Sequence, residues 1–210
     1  MTKEPYKYFP QTKDELKDII EQRIEVEGNE VNLNDIDVSA ITDMSMLFLR
    51  MDFNGDISGW DVSNVTDMNG MFYFCRKFNQ DLSIWNVSNV MSMSFMFYNC
   101  IDFNQDLSNW NVSNVAEMES MFSDCKSLNQ DLSNWNVSKV TNMNGMFFGC
   151  EKFNQDLSKW DVSNVTDMES MFKHCISFNQ DLSAWNISNI RYKQDVFYDC
   201  PIKDEYKPKF

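Results

Sequence analysis

The sequence has no run of the roughly 18 apolar residues that a membrane-spanning helix needs. It also has one histidine, four prolines and few basic residues, with 18 Lys and Arg against 32 Asp and Glu. Each shortage excludes something. Without a spanning run, no membrane insertion is expected. The formal net charge of -14 repels phosphate backbones, so nucleic acid is set aside as a partner. There is no phosphate-cradling glycine loop and no metal-ligand spacing, so neither a cofactor nor a metal is implied. The six cysteines lack the uneven spacing of a disulfide framework and the close pairs of a zinc site. Reduced, buried thiols follow. The opening residues, MTKEPYKYFPQTKDEL, lack the apolar region of a secretory signal. The chain as written is therefore expected in the cytoplasm.

What the chain does have is repetition. FNQDLSIWNVSNVMSMSFMFYNC, from Phe78 to Cys100, returns as FNQDLSNWNVSNVAEMESMFSDC from Phe103 to Cys125. Trp60, Trp85, Trp110, Trp135, Trp160 and Trp185 are each 25 apart, as are Cys75, Cys100, Cys125, Cys150, Cys175 and Cys200. A fixed period of this size marks a repeat architecture, whose units bury their apolar faces only by stacking. Units end near Arg50, Cys75, Cys100, Cys125, Cys150, Cys175 and Cys200. The first is degenerate, with Ile36 where later copies have Trp.

Within a unit, Val90, Met93, Met96, Phe97 and Cys100 step as one helical face, and Ser88 before them is an N-cap type of residue. This spacing predicts a short helix. Trp85 and Val87 alternate around Asn86, which predicts a short strand, and stacked copies of it would form a parallel sheet. At the start, Thr12 and Glu15 fit a capping box, and Leu16, Ile19, Ile20 and Ile24 form an apolar stripe, so a helix ending near Gly28 should cover the first coil. Pro5, Pro10, Pro201 and Pro208 all lie outside the repeats. The expected organisation is an N-terminal segment with a capping helix (1–31), a seven-coil solenoid (32–200) and a polar closing cap (201–210).

The pattern F-N-Q-D-L-S-x-W-[DN]-V-S-x-V-x-x-M-x-x-M-F-x-x-C resembles the repeat of the BspA-like leucine-rich-repeat surface proteins of bacteria, from about Asn32 to Cys200. FPQTKDELKDII also looks like the helix that precedes such repeats. The resemblance implies an α/β repeat solenoid: a right-handed, leucine-rich-repeat-like coil stack with one short parallel strand and one short helix per coil. It further implies adhesion or partner binding at a cell surface or in secreted form.

Every repeat position becomes a row along such a stack. The Trp row reads as core rather than a sugar platform, because Trp85 shares its strand face with Val87. The methionine rows read as filler between elements. In the acidic row (Asp56, Asp81, Asp106, Asp131, Asp156, Asp181), stacked carboxylates either bond the N–H groups of their own turns or hold a hard cation such as Ca²⁺. The sequons beginning at Asn86, Asn111, Asn136 and Asn186 fit turn and cap chemistry better than glycosylation. His174 beside Cys175 is expected to be exposed and inert. The expected contact surface is the sheet-face row Asp61, Asn86, Asn111, Asn136, Asp161 and Asn186, with the varied Ile84, Asn109, Asn134 and Lys159 beside it. The predicted function is a non-enzymatic adhesin-like or adaptor module that binds a protein or glycan. The alternative is a structural spacer with weak end-to-end self-association.

Overall fold

The structure is a computed structural model that describes residues 6–209; Pro5 and Phe210, assigned above to the terminal segments, lie outside them. The helix expected after Thr12 is present as α1, Lys13–Glu27. The Thr12 hydroxyl accepts from the Glu15 N–H at 3.2 Å, and Glu15 reaches back to the Gln11 N–H at 2.7 Å. Gly28 ends the helix at φ 89°, a left-handed conformation that only glycine adopts at low cost. Leu16 and Ile20 are buried against the first coil, with Ile19 and Ile24 partly covered. Lys13 fixes this packing by donating to Asp43 at 2.7 Å, and Arg23 by donating to Asp35 at 2.9 Å.

Beyond α1 the chain departs from the expected fold. Among the described residues the only other helical element is a 3-10 turn at Asp204–Tyr206. No strand exceeds an isolated parallel bridge, and the bridges run Asp43↔Asp67, Asp67↔Ser92, Ser92↔Glu117 and onward to Tyr192. The α/β solenoid with a strand and a helix per coil, and its leucine-rich-repeat likeness, is therefore corrected to a stack of turns.

Dihedral angles and hydrogen bonds give the reason. In the stretch expected to be helical, Phe95 and Asn99 have φ of 59° and 58°, and equivalent residues in every coil are left-handed too. A helix cannot pass through such residues. The N–H groups of Met93, Phe95, Phe97 and Asn99 instead donate to the carbonyls of Glu117, Glu119, Met121 and Ser123 in the next coil, at 2.7–3.0 Å. Between them, Met96, Tyr98 and Cys100 close turns onto the carbonyl three residues back. The Trp85–Val87 stretch forms no strand because its neighbours also close turns, Trp85 onto Leu82 and Val90 onto Val87.

The inward rows fill one continuous core. Phe72, Phe97, Phe122, Phe147 and Phe172 stack at centroid spacings of 5.5–5.8 Å. Trp110, Trp135 and Trp160 stack at 6.5 Å, and each indole N–H donates to a leucine carbonyl one coil back, Trp110 to Leu82 at 3.0 Å. Burial without an orphaned donor makes the tryptophans core residues, as the sequence indicates. From Cys75 to Cys175 each cysteine thiol donates to a phenylalanine carbonyl in the preceding coil, as Cys100 does to Phe72 at 3.0 Å, and Cys200 donates to Phe178 in its own coil. All six thiols are free. Asparagines tie the coils along another edge: Asn79, Asn104 and Asn129 each donate their backbone N–H to the side-chain oxygen of the asparagine one coil earlier, at 2.8–2.9 Å. At the far end the tail packs Ile202 and Pro208 inward, and Leu182 donates to the Tyr206 carbonyl.

Candidate interaction surface

On the outer side of the turn ladder, three positions per coil project outward: the first left-handed residue and the two residues between the core Phe and Cys. These positions carry different side chains in each coil. In coils 1 to 3 (29–50, 51–75, 76–100) they bring together Met46, Leu49, Arg50, Tyr73, Phe74, Phe95 and Tyr98. The rings form one cluster. Tyr73 stacks on Tyr98 at 4.8 Å with 13° between planes, Phe74 lies 5.5 Å from Tyr98, and Phe95 meets Tyr73 edge-on at 6.3 Å. Arg50 and Arg76 sit over the Phe74 ring at 5.7 and 6.0 Å. All four rings are only partly buried. Coil 4 (101–125) carries Ser120, Ser123 and Asp124 at the same places, so the apolar patch ends there.

The backbone under this patch discriminates against bulk. Phe74 and Phe95 hold φ of 62° and 59°, while equivalent positions are filled by Gly70, Gly145 and Gly149 at 58°, 59° and 68°. A left-handed conformation costs a residue with a Cβ about 1 kcal/mol or more. Gly70 is further confined, because the Met46 thioether lies where its Cβ would go. Two phenylalanines thus occupy left-handed positions that other coils fill with glycine or with Met46, Arg50, Asn99, Ser120, Asp124, Ser170, His174, Asp195 and Asp199.

A smaller group recurs in coils 5 to 7. The His174 ring meets Phe148 and Tyr198 edge-on at 5.4 and 5.7 Å, Lys173 lies 4.9 Å over the Tyr198 ring, and His174 Nδ1 is 3.0 Å from Asp199. His174 and Cys175 turn to different partners, for the Cys175 thiol is buried and bonded to the Phe147 carbonyl. Burial pushes that thiol upward, away from the thiolate a nucleophile needs.

The row expected to make contact is exposed throughout: Asp61, Asn86, Asn111, Asn136, Asp161 and Asn186, together with Ile84, Asn109, Asn134 and Lys159. It lies on turns and not on a sheet. Each Asp or Asn of the row accepts the N–H of the serine two residues on, at 3.1–3.2 Å, so these side chains serve their own turns. The acidic row behaves alike, with Asp106 accepting from the Ser108 N–H at 2.8 Å. Those backbone bonds hold the Asp106 carboxyl below the usual range. The aromatic cluster is not marked by the repeat pattern because it occupies unspecified positions of M-x-x-M-F-x-x-C. Its signal is bulk where other copies have glycine, serine or aspartate.

The broadest depressions lie at the two ends: one beside α1, lined by Lys7, Arg23, Asn34 and Asp35, and one at the last coil, lined by Trp185, Ile187 and Ile190. Beside α1, burial pushes the Asp35 carboxyl up, but bonds from Arg23 and Lys7 outweigh it and hold it below its ordinary value. No described helix is long and apolar enough to cross a membrane. No curated protein matches the chain. A family does match, over residues 15–134 and again over 116–206. These spans take in most of α1 and all the coils, and by them the chain belongs to the family described as Mycoplasma protein of unknown function, DUF285.

Proposed function

We propose that this chain is a non-catalytic interaction module that holds a partner protein against the aromatic face of coils 1 to 3. The observation that carries this reading is the gathering of Tyr73, Phe74, Phe95 and Tyr98 into one half-exposed ring cluster, with Phe74 and Phe95 at left-handed positions. Backbone strain kept at a surface is a sign of function. Composition supports it as well. Tyr, Phe, Met and Arg are the residues enriched at protein interfaces, and Lys, Glu and Asp, which are depleted there, are absent from the patch. The likeness of the repeat to BspA-like surface proteins supports an adhesive role at a cell surface.

The test is quantitative capture on beads carrying the wild-type chain, a Tyr73→Ser/Phe95→Ser variant, or an Asn111→Ala/Asn136→Ala control. The proteins that wild type enriches should be lost on the first variant and kept on the second. The reverse pattern would move the contact to the exposed Asx row and sink the proposal.

A further inference from the structure

Resting on that reading, we propose that Arg50, Phe74 and Arg76 form the anchor point of the surface, and that it seats an acidic segment of a partner protein, a carboxylate beside an aromatic or aliphatic side chain. Both guanidiniums are exposed, and both lie over the Phe74 ring, at 5.7 and 6.0 Å. A guanidinium attracted to the face of a ring keeps N–H groups open for bidentate pairing with a carboxylate.

Neither arginine makes an ion pair among the described residues. Arg23, by contrast, is held by both Glu27 and Asp35. Two exposed guanidiniums beside one ring, neither in an ion pair, can take a carboxylate from a partner. Their neighbour Lys77 does have one, Asp52 at 4.0 Å. The overall negative charge does not prevent the contact, because exposed charges are screened beyond roughly 8 Å at physiological ionic strength. Tyr73 and Tyr98 adjoin Phe74, and Phe95 lies edge-on to Tyr73, so a residue flanking the carboxylate meets rings.

The probes are a fluorescent Glu–Tyr random copolymer, a matched Lys–Tyr copolymer and chondroitin sulfate, each titrated by anisotropy into the full chain at physiological salt. The Glu–Tyr copolymer should bind best. Arg50→Gln/Arg76→Gln should weaken it about tenfold or more, and Arg50→Lys/Arg76→Lys should restore little, because charge alone does not give the bidentate fork. All variants should melt with the wild type, since both side chains are exposed. A preference for the Lys–Tyr copolymer, no binding at all, or equal binding by the Gln variant would overturn the acidic-partner assignment. Tighter binding of chondroitin sulfate would overturn the protein segment in favour of an anionic glycan. The interaction reading fails separately, if Tyr73→Ser/Phe95→Ser leaves bead capture unchanged.

Discussion

Coils 3 and 4 share a backbone and a core but not a surface. Trp85, Val87, Met93, Met96, Phe97 and Cys100 recur as Trp110, Val112, Met118, Met121, Phe122 and Cys125, all buried. Their left-handed residues match as well, Phe95 and Asn99 against Ser120 and Asp124, at φ 59° and 58° against 50° and 57°. Outside, coil 3 has Ile84, Met91 and Phe95, and coil 4 has Asn109, Ala116 and Ser120. The inward rows and the turn bonds thus specify the coil, and the outward positions are free to carry something else. The left-handed angle belongs to every coil, whereas the rings set on it in coils 2 and 3 do not.

If the two coils are equivalent inside, core damage must cost the same in each. Phe97→Ala and Phe122→Ala should each lose about 3–5 kcal/mol in denaturant unfolding. A clear inequality would show that coil 3 owes stability to its surface rings.

The thiols give a second comparison. Burial pushes Cys75 up to about 12 and raises Cys100 and Cys125 well above 9.0. For a raised group, stability is fully present below the unfolded value and is lost as pH rises toward the folded one. Stability should therefore fall from about pH 9 upward, by about 1.4 kcal/mol per pH unit for each thiol still protonated. Cys100→Ala and Cys125→Ala should flatten that limb equally, measured as the midpoint of urea unfolding between pH 8 and about 11.

The smallest effect separates the coils. Burial raises the Asp124 carboxyl, and coil 3 has Asn99 in its place. A raised carboxyl means that ionisation, complete at neutral pH, opposes folding. Asp124→Asn should stabilise at pH 7 by less than about 1 kcal/mol, and the gain should vanish near pH 3, where the acid is protonated in both states. An equal gain at both pH values would point to packing and not charge.

Much of this was legible. The period, the inward rows, the Thr12 cap and the Gly28 stop can be read directly, because burial and capping act through residue type. The per-coil helix and strand could not be separated from a chain of turns, because inward residues three or four apart suit both. What distinguishes them is the left-handed residue. Gly70, Gly145 and Gly149 announce it, but Phe95, Ser120 and His174 at the same angle do not. The exposed Asx row was correctly found on the surface, yet its side chains are engaged in their own turns. The aromatic face is not legible in the repeat, because no single position in it recurs as a ring from coil to coil.

The central claim is that Phe74 and Phe95 serve the surface and not the fold. Its most direct test is the unfolding free energy of Phe74→Gly/Phe95→Gly beside a Phe72→Ala core control. Relief of two left-handed phenylalanines should offset the loss of two half-exposed rings, so the double variant should stay within about 1 kcal/mol of wild type while the control loses about 3–5. If the double variant falls as far as the control, the rings are part of the core and the account is wrong.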